Sequence, residues 1–237
     1  TPKPSKKVSS EKALAAQLHW ANERLGYRFK NFELLEQALT HRSASKKNNE
    51  RLEFLGDALL SFVVAQRLFN VKSAQSEGDM SRMRAELVKG ETLADIGREL
   101  ELEPHVIIGA GEKSSGGENR SSVLANTVEA LIGGILLDGG FTKAEIFINR
   151  IIGDRFEMLP DAASLKDAKT KLQEWLQARG LGLPEYNVSS MDGPPHKRTF
   201  IIQCSVGEDM VMGHGLSRRN AEQDAAKHML LALTNGH

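Results

Sequence analysis

Three carboxylates lie on one face of a predicted helix over residues 50–70. Glu50, Glu53 and Asp57 are spaced i, i+3 and i+7, which stacks side chains one above the next along a helix. The positions around this polar line are apolar: Leu52, Phe54, Leu55, Leu59, Leu60, Phe62, Val63, Val64 and Leu68. A helix that is apolar on most sides is mostly buried, so we expect these carboxylates to be surrounded by the core.

A second apolar helix, predicted over residues 122–137, carries a shorter polar line. Asn126 and Glu129, at i and i+3, are its only amide and acid side chains. Like charges one turn apart destabilise an exposed helix by about 0.2–0.5 kcal/mol, and by more when they are desolvated. Mg²⁺ prefers carboxylate oxygens and water as ligands, and it cancels such charge. We therefore interpret the two lines as a Mg²⁺ site that activates water and neutralises charge on a phosphate under attack.

Each carboxylate also has a plainer interpretation. Glu50 would only complement the positive N-terminal end of its helix. Glu53 and Asp57 would be surface residues paired with Arg51 or a distant lysine. Glu129 would be a buried structural acid paired with an arginine. We favour the metal site because the two polar lines support each other, which neither line does alone.

Composition sets the broad class of the protein. The 237 residues are enough for two modest domains, and 31 Lys and Arg balance 31 Asp and Glu, so charge alone neither indicates nor excludes nucleic acid. Cys204, the one cysteine, lies in an apolar run and is predicted to be a buried thiol in a reducing compartment. We find no apolar stretch long and pure enough for a bilayer and no signal peptide, and we expect a cytoplasmic protein without a membrane partner.

The hydrophobic pattern changes its period once along the chain. Residues 1–10 have the composition of a disordered arm, residues 11–157 are helical in pattern, and residues 158–166 have the composition of a linker. Residues 167–235 follow the order helix, three strands, helix, predicted at 167–179, 186–190, 199–206, 209–214 and 217–233. The fold class is therefore an all-α domain followed by a small α+β domain of order α-β-β-β-α.

Residues 49–57, NERLEFLGD, resemble the nine-residue box of bacterial ribonuclease III. The resemblance extends through ALTHRS at 38–43, EGDMSRMR at 77–84 and TVEALIG at 127–133, and covers nearly the whole chain after the arm. It implies a homodimeric, Mg²⁺-dependent endonuclease that cleaves double-stranded RNA to 5′-phosphate and 3′-hydroxyl ends. Mn²⁺ is expected to be able to substitute for Mg²⁺. Ribosomal or messenger RNA precursors are the expected targets.

The resemblance also implies roles for individual residues. The family's metal ligands fall on Glu53, Asp57, Asn126 and Glu129. Acidic positions associated with the site or with catalytic efficiency fall on Glu50 and Glu77, and the catalytic candidates are Asp57, Glu129, Glu53 and Glu50. Asn126 departs from the family, which has aspartate there. Because an amide oxygen ligates a cation without adding negative charge, we predict weaker Mg²⁺ binding and slower cleavage; the alternative is a catalytically silent protein that binds double-stranded RNA.

The C-terminal order of elements resembles a double-stranded-RNA-binding domain, which reads duplex shape across two minor grooves. Two adjacent arginines at a helix N-terminus suit phosphates, although they are also compatible with an ordinary solvated helix start. We expect Trp175 in the core rather than stacked on a base. The candidate RNA contacts are Thr170, Gln173, Gln177, His196, Ser217, Arg218 and Arg219.

Two other classes of protein fit the sequence less well. A di-iron helical protein also places acids on facing helices, but it needs Glu-x-x-His pairs. Neither Glu53 nor Glu129 is followed by histidine three residues later. Sequence-specific DNA binding has little support, because the chain shows no helix-turn-helix pattern and no zinc-ligand spacing.

Overall fold

The chain folds into two compact units, the first ending at Pro160 and the second beginning at Asp161. The computed structural model describes residues 17–113, 116, 120–160, 162–194 and 198–235, with the side chains of residues 162 and 163 left out. The boundary between the units falls inside the predicted linker at 158–166. The predicted arm at 1–10 lies outside the described residues.

The first unit is built from α-helices. They are α1 (Phe32–Leu39), α2 (Glu50–Val71), α3 (Glu77–Val88), α4 (Gly90–Glu99), α5 (Ala110–Lys113), α6 (Ser121–Gly139) and α7 (Phe141–Ile152). A short π-helical turn, Ala21–Leu25, precedes them, and two 3₁₀ turns lie at Glu103–His105 and Gly153–Phe156. Helix α6 is the central element, because its residues are buried almost continuously from Val123 to Ile135.

Helices α2 and α6 cross in direct backbone contact at two glycines. A Cβ atom on Gly56 would lie 1.8 Å from the carbonyl oxygen of Glu129, and one on Gly133 would lie 2.2 Å from the carbonyl oxygen of Leu52. Real Cβ atoms essentially never come within 3.0 Å of such atoms, so any side chain at either position would force the helices apart. Because Gly56 lies between Glu53 and Asp57 along α2, this crossing sets the two polar lines side by side.

The prediction that α2 is mostly buried is wrong for one of its sides. Leu52, Leu60 and Val64 are buried, but Phe54, Phe62 and Phe69 are 78%, 54% and 71% exposed. The pattern predicted burial because every side of the helix is apolar, yet α6, α3 and α7 together cover only part of its surface.

Helices α2 and α6 are also long and apolar enough, by length and composition, to cross a membrane. The sequence expectation that no stretch reaches this length was therefore too strict. The test is weak for one or two helices, since a core helix of a globular unit passes it as well. Packing inside the unit buries most of the apolar residues of α6 but only a minority of those of α2.

The second unit is a three-stranded antiparallel sheet with helices. Its elements are α8 (Ala162–Leu165), α9 (Ala168–Gln177), β1 (Glu185–Asp192), β2 (Thr199–Val206), β3 (Asp209–Gly215) and α10 (Arg218–Asn235), and the strand order is β1-β2-β3. The predicted order α-β-β-β-α is confirmed, with α8 as an additional short turn before it. β1 extends beyond its predicted bounds, and its pairing with β2 shifts register between Val188 and Ser190.

The core of this unit lies between the sheet and helices α9 and α10. Cys204 is fully buried there, as predicted, and Trp175 packs against the edge of the core. A Cβ atom on Gly213 of β3 would lie 2.1 Å from the backbone nitrogen of Ala225. Ala225 and Ala226 are fully buried, so α10 lies directly on the sheet.

Candidate active site and RNA-binding surface

The start of α2 is anchored to the loop that carries His41 and Arg42. The backbone nitrogen of Asn49 donates to the carbonyl oxygen of Thr40 at 2.9 Å, and the carbonyl oxygen of Asn49 accepts from the backbone nitrogen of Glu53 at 2.8 Å. Asn49 is 2% exposed, and its side-chain Nδ2 has no hydrogen-bond partner. The buried residue thus joins the loop to the carboxylate-bearing turn and leaves one amide donor unpaired.

A cleft of about 240 Å³ opens between this loop, α2 and α6. It is lined by His41, Arg42, Asn49, Glu50, Glu53, Ser122, Val123 and Asn126. Acidic and amide groups from the two polar lines therefore face a cationic loop across the same space. Asp57 and Glu129 lie one turn further along their helices, past the lining of the cleft.

The acidic groups interact strongly with one another. Burial and then the charge of Glu50 raise the pKa of Glu53, while a hydrogen bond with the Asn126 side chain acts in the opposite direction. Burial, followed by the charges of Asp57 and Glu53, raises the pKa of Glu129 to about 7. The crossing of α2 and α6 thus concentrates negative charge that no nearby cation fully cancels.

The plainer interpretation is not seen for three of these acids and stays open for the fourth. In the described part of the chain, Glu53, Asp57 and Glu129 form no ion pair within 4.0 Å. Surface or buried pairing with a basic residue is therefore not seen for these three. Glu50, the first residue of α2, lies 3.7 Å from a guanidinium nitrogen of Arg42, so its interpretation as a helix-end residue stays open.

The side chains of the site have the chemistry that a hard divalent cation prefers, but they are not grouped closely enough to hold one. Three carboxylates and an amide offer the oxygen ligands that Mg²⁺ prefers. Among the described residues, however, no three His, Cys, Asp or Glu side chains are grouped closely enough to hold a metal ion. This fits the charges: the carboxylates repel one another, and Asn126, the other member of the polar line on α6, is not an acid.

Glu77 does not line this cleft. It is the first residue of α3, and its Oε1 accepts from the Ser81 hydroxyl at 2.8 Å. It lines a different, apolar groove of about 440 Å³ together with Phe62 and Phe69 of α2. The site role that the resemblance implies for Glu77 is therefore not supported by a position beside Glu53 and Asp57.

Sequence reasoning missed three contributors to the cleft. His41 and Arg42 belong to the ALTHRS block, but an isolated basic residue in a loop gives no spacing signal. Asn49 was considered only as part of the start of the helix. The signal available for it was an asparagine directly before an acidic helix, since its burial is seen only in the structure.

The candidate RNA-binding residues of the second unit have unequal availability. Gln173, Gln177 and Arg219 are exposed, and Arg219 forms no ion pair within the described ranges. Arg218 donates from Nε to Glu222 at 2.9 Å, and Glu222 also accepts from Lys169 at 2.7 Å. Part of the positive charge predicted at the start of α10 is therefore neutralised inside the protein.

Two of the remaining candidates for RNA contact form hydrogen bonds within the protein, and the third lies outside the described residues. Ser217 accepts a hydrogen bond from the backbone nitrogen of Asn220 at 3.2 Å and so caps α10. Thr170 is half-buried, and its backbone nitrogen donates to Asp167 at 2.8 Å. His196 lies outside the described residues.

Comparisons with known proteins agree with both units. A family model described as ribonuclease-III-like matches residues 31–155, and a double-stranded RNA binding motif matches residues 168–233. Ribonuclease 3 of Nitrosococcus oceani is 50% identical over 214 residues, which cover 89% of this chain and 92% of that protein. Ribonuclease 3 of Vibrio cholerae is 50% identical over 215 residues, covering 90% and 96%.

A solved structure resembles the first unit. The nuclease domain of ribonuclease III from Campylobacter jejuni is 40% identical, with a TM-score of 0.56, and the match covers 58% of this chain and 96% of that domain. The helical fold, the crossing of the two helices that carry the acids, the C-terminal motif and the relatives of 50% identity all agree. The chain belongs to the ribonuclease III family of endoribonucleases.

Proposed function

We propose that the chain is a Mg²⁺-dependent endonuclease that cleaves double-stranded RNA and leaves 5′-phosphate and 3′-hydroxyl ends. The observation that carries this proposal is the backbone contact of α2 and α6 at Gly56 and Gly133. That contact gathers the side chains of Glu53, Asp57 and Glu129, whose mutual repulsion a divalent cation relieves. Processing of ribosomal or messenger RNA precursors in the cytoplasm belongs to the same proposal.

The residues of the chain divide the work of the site. A bound divalent cation would supply Lewis acidity and a more acidic water. Glu53, Asp57, Asn126 and Glu129 are the residues that would hold it. Across the cleft, the exposed guanidinium of Arg42 suits the oxygens of an RNA phosphate.

The experiment that tests this function is incubation of the protein with a long RNA duplex and Mg²⁺ or Mn²⁺. We expect products with 5′-phosphate ends from the duplex and none from the same RNA as single strands. Glu129→Gln keeps the shape of the side chain and removes its charge, and it should abolish cleavage while duplex binding is retained. Cleavage that continues undiminished in Glu129→Gln would contradict the assigned site.

A second candidate function is duplex-RNA binding without cleavage. It is favoured by one observation, the hydrogen bond between the side chains of Asn126 and Glu53, because this bond occupies a carboxylate that the cation needs. Under this alternative the wild-type chain binds duplex RNA and leaves it intact with either metal. Asn126→Asp then restores cleavage, which separates a silenced nuclease from a protein that never had this activity.

We also propose that the chain forms a homodimer through the exposed apolar side of α2 and the groove beside α3. Large exposed apolar patches mark protein contacts, and Phe62 and Phe69 line this groove. The Campylobacter jejuni nuclease domain has a region involved in dimer formation. Phe62→Ser with Phe69→Ser should give a monomer in analytical ultracentrifugation, whereas a wild-type chain that sediments as a monomer at micromolar concentration contradicts the proposal.

A further inference from the structure

A second groove in the first unit is lined by four basic side chains and no acidic one. It has a volume of about 320 Å³ and lies between the segment after the π-helical turn, the end of α6 and one side of α7. Its basic residues are Arg28, Lys30, Lys143 and Arg150, and Leu25, Ile146 and Phe147 form an apolar floor. Such a lining is unusual in a chain whose total charge is zero.

These four cations have no acidic partner in the part of the chain that the structure describes. None of their nitrogen atoms lies within 4.0 Å of a carboxylate oxygen. The neighbouring acid, Asp138, accepts from the Tyr27 hydroxyl at 2.7 Å and from the backbone nitrogens of Lys30 and Asn31 at 2.8 Å each. The charge of Asp138 also interacts with that of Lys30, but one acid against four basic side chains leaves the groove an excess of positive charge.

Arg150 is held in place although it has no counter-ion. Its Nη2 donates to the carbonyl oxygen of Arg24 at 2.6 Å, and its guanidinium carbon lies 5.6 Å from the centre of the Phe147 ring. A Cβ atom on Gly26 would lie 2.3 Å from its Nη1, so the guanidinium rests directly on the glycine backbone. Burial lowers the pKa of Arg150. A positioned, partly desolvated cation without an anion costs free energy, and a bound anion would recover it.

We propose that this groove binds backbone phosphates of the RNA duplex outside the catalytic cleft; the proposal rests on the proposed function. The RNA is the anion that this protein meets, and four unpaired cations suit several phosphates. The only aromatic side chains lining the groove, Tyr27 and Phe147, are half-buried and buried, so it offers no platform for stacking bases. Binding is therefore independent of sequence.

The position of the groove makes it a site separate from the cleft. Asn126 lines the cleft and Gly139 lines the groove, and both belong to α6. At 1.5 Å of rise per residue, the two positions are about 20 Å apart along the helix. A duplex bound in the cleft must therefore extend about 20 Å beyond it to contact the groove as well.

The test compares two charge-matched double variants of the full chain. Arg28→Gln with Lys143→Gln removes two unpaired cations from the groove. Arg98→Gln with Lys89→Gln removes two cations that are ion-paired with Asp95 and Glu86. Binding of RNA duplexes is measured without divalent cations across a series of KCl concentrations, after circular dichroism and thermal unfolding have shown that each variant is folded.

Each phosphate contact contributes about 0.9 to the slope of log K against log[salt], so the groove variant should lose about 2 from the slope. At about 0.15 M salt this corresponds to about 30-fold weaker binding of a long duplex. The control variant should bind like wild type. Equal slopes for all proteins on the long duplex would overturn the proposal.

Inorganic triphosphate separates RNA from small phosphate ligands. If triphosphate raises the Tm of wild type but not of the groove variant while the RNA slopes are equal, the groove takes free phosphates and the RNA assignment is wrong. Competition of triphosphate with the long duplex, seen only in wild type, supports the assignment. Cleavage is not required for either measurement, so a chain that binds as expected without cutting contradicts the nuclease function alone.

Discussion

Replacing Asn126 by aspartate tests the centre of the site, because it changes the charge of one ligand position with little change in size. In the present chain the Asn126 amide is hydrogen-bonded with Glu53, and the nearby acids are Asp57 and Glu129. Asn126→Asp removes that hydrogen bond and adds a fourth negative charge. The variant should therefore be less stable than wild type without a cation and more stable than wild type with Mg²⁺ bound.

The opposing effects can be estimated. A lost hydrogen bond costs about 1 kcal/mol, and 1 kcal/mol lowers the Tm of a protein of this size by about 2–4 °C, so a drop of at least that size is expected in EDTA. Two unit charges about 4 Å apart attract by about 4 kcal/mol at an effective dielectric constant of about 20. The other acids repel the added carboxylate and reduce this attraction. We therefore estimate that the free energy of Mg²⁺ binding improves by about 3 kcal/mol, which is about 100-fold tighter binding.

The assay is thermal unfolding of both proteins in EDTA and across a Mg²⁺ titration, followed by duplex cleavage at limiting Mg²⁺. Asn126→Asp should have the lower Tm in EDTA, the higher Tm in saturating Mg²⁺ and the faster cleavage. Asn149→Asp, which adds the same charge on α7, is the matched control and should show no such reversal. If both variants respond alike to Mg²⁺, residue 126 is not a ligand position and the reasoning fails.

Three further changes test other parts of the structure. Gly133→Ala sets a methyl group against the carbonyl oxygen of Leu52, so thermal unfolding should show a loss of about 1–3 kcal/mol together with lost cleavage; an unchanged Tm contradicts the close crossing. Arg219→Ala should weaken duplex binding in a filter assay more than Arg218→Ala, because Arg218 is already ion-paired; the reverse order contradicts this surface. Burial raises the pKa of Asp138, but three hydrogen bonds outweigh it and the net pKa is lowered, so Asp138→Asn should lower the Tm at pH 7, and the difference should vanish as the pH falls through that lowered pKa.

The sequence by itself determined the elements and the chemical character of the protein. Alternation with a period of two residues located β2 at its observed bounds, and helical periodicity located α2 and α6 to within two residues. These features are local, because one stretch of chain carries both the apolar side of an element and its polar line. The ordered motifs were sufficient to indicate the family, while the metal site indicated by the spacing of Glu53 and Asp57 stays a prediction.

Only the tertiary structure decided which of these groups meet. The cleft needs Arg42, Asn49 and Asn126 together, and the basic groove joins Arg28 to Lys143 and Arg150, more than a hundred residues later. Such meetings depend on how closely two backbones approach, and at Gly56 and Gly133 that approach is set by the absence of a side chain. No periodicity records a contact between distant segments. For the same reason the sequence did not reveal that Glu77 lies in another groove, or that one apolar side of α2 is exposed.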